Sequence, residues 1–213
     1  MKVVKPYYEI LTEISDGGIK ELQFIEKIAR VCYKSEDKIT DDGESAKKFV
    51  ARLIKSGHEA MIEHSILTVK FVCDRGVSHE LVRHRHCSFA QESTRYCNYS
   101  SDKFGNEIAF VEPVYFEDKA KKYGYCGWNE ACTQSEDIYM LLLNHDYTPQ
   151  EARAVLNNSL KTEIVVTANY REWRHIFKLR CAKDSHPQMR ELMVPLKEEL
   201  STLIPIVFDD ITY

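Results

Sequence analysis

The chain has 213 residues, 44% of them hydrophobic and 29% charged, with a formal net charge of -4. That balance describes an ordinary globular protein long enough to bury a sizeable core, and one compact domain over residues 1–213 is the simplest expectation. An acidic chain is a poor generic nucleic-acid coat, no run is long and apolar enough to cross a bilayer, and the opening MKVVKPYYEI has no apolar leader core, so a cytoplasmic protein is expected.

Val3, Val4, Tyr7, Tyr8 and Ile10 predict an N-terminal strand. Ala46, Phe49, Val50, Leu53 and Ile54 recur at helical spacing and predict a helix from Glu44 to Ser56, closed by Gly57. Ser65 to Cys73 is β-rich and predicts a strand. Gly76 to about His86 reads as a short helix, Ser88 to Ser100 as a loop, and Ile108 to Val111 as a short strand ended by Pro113. A helix is expected from Trp128 to Leu143. Thr148-Pro149-Gln150-Glu151 is a capping box with proline at the first helical position, and predicts a helix running to about Leu160. Glu163 to Ala168 suits strand or helix equally, while Tyr170–Cys181 and Pro187–Leu203 predict helices. Helices with a sheet but no regular βαβ alternation place the chain in the α+β class. There is no G-x-G-x-x-G and no Walker loop, so any nucleotide is to be held by side chains.

Three polar clusters carry the chemistry. The first is RHRHCSFAQESTRY, Arg83 to Tyr96, which has almost no aliphatic residue to bury. On a helix, Glu80, Arg83 and His84 would be neighbours, and Arg83 and Arg85 would point to different sides, each able to meet its own anion. Ser88, Gln91, Ser93 and Arg95 add donors, a composition suited to a phosphorylated ligand; a solvated charged helix end is the competing reading. The second is GHEAMIEHS, Gly57 to Ser65, with His58, Glu63 and His64. Its histidines invite a metal reading, but H-E-x-x-H is absent, and His84 and His86 cannot share a helical face, so no metal is expected. The third is REWRHIFKLRCAKDSHPQMR, Arg171 to Arg190, where Arg171, Arg174 and Lys178 fall on a basic helical face. The seven cysteines are odd in number and lack a C-x-x-C pair, which argues against a disulfide framework and a thiolate zinc site. Neither G-x-S-x-G nor a cysteine-protease signature is present, so Ser93 is expected to donate to an anion, not to attack.

Read together, the clusters resemble the flavin-dependent thymidylate synthases. The pattern R-H-R-x-x-S-x-x-x-x-S-x-R is met by Arg83, His84, Arg85, Ser88, Ser93 and Arg95. G-H-x-x-x-x-E-H is met by Gly57, His58, Glu63 and His64, and N-x-R followed by L-R by Asn169, Arg171, Leu179 and Arg180. Arg153 matches the arginine after the long connection, and Ser185, His186 and Gln188 match S-H-x-Q. The resemblance implies an α+β fold with a central, mostly antiparallel sheet flanked by helices. It implies methylation of dUMP to dTMP, with methylenetetrahydrofolate giving the carbon, reduced FAD the hydride, and NADPH reducing the flavin. It also implies a homotetramer whose sites are shared between subunits.

The resemblance places His58, Glu63, Arg83, His84, Arg85, Gln91, Asn169, Arg171 and His175 at FAD. It places Glu80, Leu81, Val82, Arg83, Gln91, Glu92, Ser93, Thr94, Arg95, Arg153 and Arg180 at dUMP. Arg180 is the catalytic residue it implies, a fixed guanidinium at the uracil edge that stabilises the N3 anion. No cysteine is the nucleophile. The chain departs from the family in having Ala90-Gln91 where asparagine-glutamate is frequent, Ala60 where serine or threonine is frequent, and Glu80 where glutamine is usual. The segment between Arg180 and Ser185 is a couple of residues longer than in some members. A nucleotide- or flavin-binding module without turnover, a metal-dependent hydrolase and an RNA-binding protein are the competing classes, the last lacking RRM and KH signatures.

Overall fold

A computed structural model describes residues 1–123 and 127–213. From the N-terminus come β1 (Lys2–Val4), β2 (Tyr7–Ile10), α1 (Ile19–Tyr33), α2 (Glu44–Lys55), β3 (Ile66–Asp74) and α3 (Arg75–Leu81). Then follow β4 (Ser88–Gln91), β5 (Ala109–Val111), α4 (Phe116–Tyr123), α5 (Trp128–Asn144) and α6 (Pro149–Ala152). β6 (Lys161–Asn169), α7 (Tyr170–Arg180) and α8 (Pro187–Leu203) complete the order. Four strands form a sheet in the order β2-β3-β6-β4, and β1 pairs with β5 in parallel. The Arg75 N–H donates to the Leu160 carbonyl at one end of the β3–β6 pair, and the Tyr170 N–H to the Ser65 carbonyl at the other, so these long strands run antiparallel.

The chain divides into two compact units. The first comprises Met1–Tyr8, Lys70–His84 and Phe89–Val165, and the second Glu9–Val69, Arg85–Ser88 and Val166–Tyr213. In the first, Tyr99, Ile108, Phe110, Trp128, Cys132, Tyr139, Ala152 and Leu160 make a buried cluster. In the second, α1 packs on α2 through Ala29, Phe49 and Leu53, and Tyr170, Trp173, Phe177 and Phe208 form an aromatic group. Each fully buried aliphatic or aromatic side chain contributes about 1.5–3 kcal/mol. β6 settles the ambiguous segment: Thr162, Ile164, Val166 and Ala168 alternate inward along it, the period of a strand.

Three expectations need correction, and two helices were not expected. The α3 helix stops at Leu81, not His86; the next positions that would continue its buried face are His84 and Arg85, and polar residues give the helix no further apolar surface to bury. Ser88–Gln91, expected as loop, is β4 and lies beside β6; it carries no β-branched residue to signal a strand. The helix begun by the Thr148–Glu151 capping box ends at Ala152, passes through a 3-10 turn at Arg153–Val155, and stops well short of Leu160. There the Asn157 side chain accepts the Ser159 N–H at 2.9 Å, a local bond that competes with helix. The helix α1 was not expected, because two of its buried positions are Glu26 and Arg30, which read as polar; they satisfy each other at 2.7 Å. α4 was not expected either.

Candidate functional site

The second unit holds the larger polar cleft. Asn169 caps α7, its side-chain oxygen accepting the Glu172 N–H at 2.8 Å, which fixes where the helix begins. From there Arg171, His175 and Lys178 follow on the exposed side, while Trp173, Ile176 and Phe177 are buried. Trp173 is locked by donating to the Leu67 carbonyl at 3.0 Å. Opposite α7, a 3-10 turn at Glu59–His64 supplies Glu59 and Glu63. Arg171 donates to Glu63 at 2.5 Å and lies 3.9 Å from Glu59. The Glu63 carboxylate, with Glu59 behind it, holds the Arg171 guanidinium protonated above its ordinary value. Beside these elements lies a cleft of about 640 Å³, lined by Glu59 and Glu63 of the turn, by Asn169, Arg171, Glu172, His175 and Lys178 at α7, and by His86.

One buried charge braces this wall from behind. Arg174, 1% exposed, donates to both oxygens of Asp210 at 2.5 and 2.7 Å, to Glu59, and to the Val207 carbonyl. Glu59 therefore sits between the buried Arg174, at 3.1 Å, and the cleft-facing Arg171. The hydrogen bond from Arg174 holds the Asp210 carboxyl below the usual carboxylate range, against the opposing effect of burial.

His58 stands just before this turn. The α2 helix ends in a Schellman arrangement: Gly57 has φ +71°, its N–H meets the Ile54 carbonyl, and the His58 N–H meets the Leu53 carbonyl at 2.9 Å. A side chain at position 57 would be strained in that left-handed conformation, so the G-H pair in the sequence is a helix stop that fixes the histidine backbone. The His58 Nδ1 is 3.1 Å from the Tyr33 hydroxyl.

The first unit holds a smaller basic hollow of about 250 Å³ lined by Arg75, His79, Thr94, Arg153, Asn157 and Asn158, among others. Arg153 donates to the Thr94 hydroxyl at 3.3 Å. Arg75 donates to the Glu92 carbonyl and the Thr162 hydroxyl at 3.2 and 3.3 Å. The Ser93 hydroxyl accepts the Arg95 N–H at 3.3 Å and its carbonyl the Tyr96 and Cys97 N–H groups, so Ser93–Cys97 is a closed turn with Arg95 at its surface. Gln91 is turned inward, donating to Ser78 at 2.9 Å and Thr162 at 3.2 Å. Glu92 accepts from the buried Tyr99 hydroxyl at 3.0 Å and from Lys161 at 3.1 Å, and lines a third hollow with them.

Of the residues expected at FAD, Glu63, Asn169, Arg171 and His175 share the large cleft; of those expected at dUMP, Thr94 and Arg153 share the small one. Arg83 and Arg85 are exposed in the turns after α3, where the Arg83 N–H meets the Glu80 carbonyl and the His84 N–H the Leu81 carbonyl. The expected helical fan of guanidiniums is thus a tight turn with His84 buried beside it. Leu81 is 1% exposed, backbone included, so it is closed to a ligand, whereas Val82 is exposed. Arg180 is half-buried at the last turn of α7. The sequence reading gave no ligand role to Glu59, His86, Glu172 and Lys178 in the large cleft, or to Arg75 and His79 in the small one; of the basic face it expected on α7, Arg171 and Lys178 are exposed and Arg174 is buried. Lys178 was legible, seven residues after Arg171 on the same face, as were Arg75 and His79 at i, i+4.

Two thiols beside these elements are held protonated. Burial, with the Glu172 charge adding, pushes Cys87 up to about 12, and burial pushes Cys181 up to about 11. Neither is a thiolate near neutrality, and the thiolate is the nucleophilic form.

The thymidylate synthase complementing protein family model matches residues 19–206. The chain belongs to the flavin-dependent thymidylate synthase family. It is 30% identical over 210 residues to the flavin-dependent thymidylate synthase of Corynebacterium aurimucosum, covering 93% of this chain and 83% of that one. With the enzyme of Mycolicibacterium vanbaalenii the identity is 31% over 210 residues, covering 92% and 80%. Among solved structures, a UMP/dUMP methylase, PolB, from Streptomyces cacaoi bound with 5-Br dUMP superimposes with a TM-score of 0.77 at 23% identity, covering 98% of this chain and 96% of that one. That likeness shows the shared fold.

The cofactor the family name implies is FAD, and the large cleft fits an anionic dinucleotide. Arg171, His175, Lys178, His86 and the Asn169 amide offer donors; of the three carboxylates in the lining, Glu59 and Glu63 hold the Arg171 guanidinium in place, and Glu172 is an acceptor for the cofactor's hydroxyl or N–H groups.

Proposed function

We infer that the chain methylates dUMP to dTMP, taking the carbon from methylenetetrahydrofolate and a hydride from reduced FAD, with NADPH reducing the flavin. The observation that carries the residue assignment is the gathering of Glu63, Asn169, Arg171 and His175, all marked in the sequence, on one cleft. When bound, FAD supplies the hydride. The chain's residues hold and orient. Arg171, His175 and Lys178 donate to the cofactor's anionic part, and His58, Arg83, His84 and Arg85 complete its surroundings. Gln91 acts through Ser78 and Thr162, setting the floor under β4.

Arg153, Thr94, Ser93 and Arg95 hold the nucleotide phosphate and sugar, and Glu80, Val82, Arg83 and Glu92 frame it, with the buried Leu81 packed behind them. Arg180 faces the uracil and stabilises negative charge on N3, which enriches C5 for attack on the carbon donor. A preorganised guanidinium aimed at developing charge contributes about 3–4 kcal/mol where such groups have been removed from enzymes. No protein thiol takes part. We propose that residues 1–213 act as one catalytic domain, since the family match runs through both units. We further propose a cytoplasmic homotetramer with sites shared between subunits.

The test is the visible spectrum of protein reconstituted with FAD, desalted, and measured with and without dUMP. A retained flavin band that shifts on adding dUMP, followed by dTMP formation with methylenetetrahydrofolate and NADPH, is expected. Absence of retained flavin together with absence of dTMP would overturn the reading.

A further inference from the structure

Tyr33 is the last residue of α1, and His58 the first after the Gly57 helix stop of α2; neither sequence cluster linked them. Both ends of their 3.1 Å contact are fixed before it forms. The Tyr33 ring packs edge-on against Phe49, with centroids 5.9 Å apart, and Phe49 is 3% exposed with the Arg30 guanidinium 4.1 Å from its centroid. The His58 backbone is held by its N–H to Leu53. A hydrogen bond between groups already in place costs little further conformational entropy, which is how one open to water persists. A phenol is a better donor than acceptor, because its oxygen lone pair is delocalised into the ring. An imidazole nitrogen that accepts cannot carry the proton, so the proton of the neutral ring goes to the other nitrogen.

We propose that Tyr33 is a positioning residue for His58: its hydroxyl donates to Nδ1, which leaves the proton on Nε2 and makes that N–H a fixed donor. The acceptor it meets is an oxygen or nitrogen of the flavin; this clause rests on the reading that places His58 beside FAD. In water the neutral imidazole already favours Nε2–H but still exchanges with the Nδ1–H form; the Tyr33 hydroxyl suppresses that minor form and fixes the ring, and a donor present only part of the time binds more weakly.

The readout is the pair of imidazole nitrogen-15 shifts of His58 in the flavin-free full-length protein, assigned by their loss in His58→Gln. The expected wild-type spectrum has Nδ1 fully of the acceptor type and Nε2 fully of the N–H type, relaxing toward the mixed shifts of a free imidazole in Tyr33→Phe, which keeps the ring on Phe49. A wild type with the proton on Nδ1, or a Tyr33→Phe spectrum identical to wild type, overturns the proposal. The second measurement is the FAD dissociation constant. The Tyr33–His58 bond is present with and without FAD, so its loss acts through the population and orientation of the Nε2–H donor and is expected to raise the constant about twofold in Tyr33→Phe. The amide nitrogen of glutamine can stand at Nε2 and that of asparagine at Nδ1, so His58→Gln should retain FAD better than His58→Asn, and the reverse order counts against the donor assignment. A relaxed tautomer bias with FAD affinity unchanged in Tyr33→Phe and in both His58 variants upholds the Tyr33–His58 device and overturns the placement of His58 at the flavin.

Discussion

Arg174→Met tests whether the buried charge behind α7 holds the cleft wall. The substitution keeps the bulk and removes five N–H donors. Breaking a buried ion pair costs about 3–5 kcal/mol when the surviving partner stays buried. Here the survivors differ. The Asp210 side chain is 52% exposed and rehydrates, so its share is small, whereas Glu59 is 20% exposed and the Val207 carbonyl belongs to a fully buried residue. One carbonyl left without a donor costs about 1–3 kcal/mol, and a half-freed carboxylate adds a similar amount, for about 3 kcal/mol together. In a chain of this length that lowers the melting temperature by roughly 6–12 °C. Asp210→Asn keeps acceptor geometry and loses only charge at an exposed position, so about 1 kcal/mol is expected.

The assay is urea denaturation of both variants at several pH values, with intrinsic tryptophan fluorescence as the probe. Arg174 depresses the Asp210 carboxyl value, so the folded value lies below the unfolded one. The Asp210 contribution is therefore complete above about pH 3.9 and is lost as pH falls through the folded value. The gap between wild type and Arg174→Met should narrow across that acid range. Because Arg171 and His175 flank position 174, the same variant should weaken FAD retention more than Asp210→Asn does. A variant within about 0.5 kcal/mol of wild type at pH 7, with no change in the acid limb, would refute the assignment of this network as a brace.

Arg180→Ala should nearly abolish dTMP formation while leaving FAD bound; equal turnover would sink the role given to Arg180. Cys87→Ala and Cys181→Ala should each retain activity, since both thiols are protonated at neutrality, and loss of turnover in a folded single variant would overturn the mechanism without a thiol. Arg153→Ala should raise KM for dUMP by roughly tenfold to a hundredfold, the worth of one charge-assisted hydrogen bond, with a smaller change in kcat. A kcat loss at unchanged KM would place Arg153 on the chemistry instead of the nucleotide.

The fold was legible wherever one period dominated. The α2 stripe of Ala46, Phe49, Val50, Leu53 and Ile54 became a helix within a residue of the expected ends, and α5, α7 and α8 likewise followed their patterns. Legibility failed where a buried position was charged. Glu26 and Arg30 hide the core face of α1, because they are acceptable inside as a pair, with Ser45 also donating to Glu26, and pattern reading scores residues singly. It failed also where a strand is defined by its neighbour: Ser88–Gln91 has no strand composition, but β6 beside it presents unpaired backbone groups that it can pair.

The binding residues were visible as residue types at spacings, while their working roles were not. N-x-R reads as two ligands, yet Asn169 uses its side-chain oxygen as the α7 cap and so sets the phase of the helix on which Arg171 stands. G-H reads as a loop, yet Gly57 supplies a left-handed stop that aims the next residue. Gln91, a candidate contact by spacing, gives its amide donors to Ser78 and Thr162. Asn169 and Gly57 orient the residues beside them, so substitutions at either should weaken ligand binding through geometry. Asn169→Asp, which keeps an acceptor for the Glu172 N–H and favours a helix N-terminus, should therefore preserve the fold of α7 better than Asn169→Ala, for which a loss of about 1 kcal/mol is expected by denaturation. Equal stability of the two variants would show that the cap does not set the helix, and would return Asn169 to the role of a simple ligand.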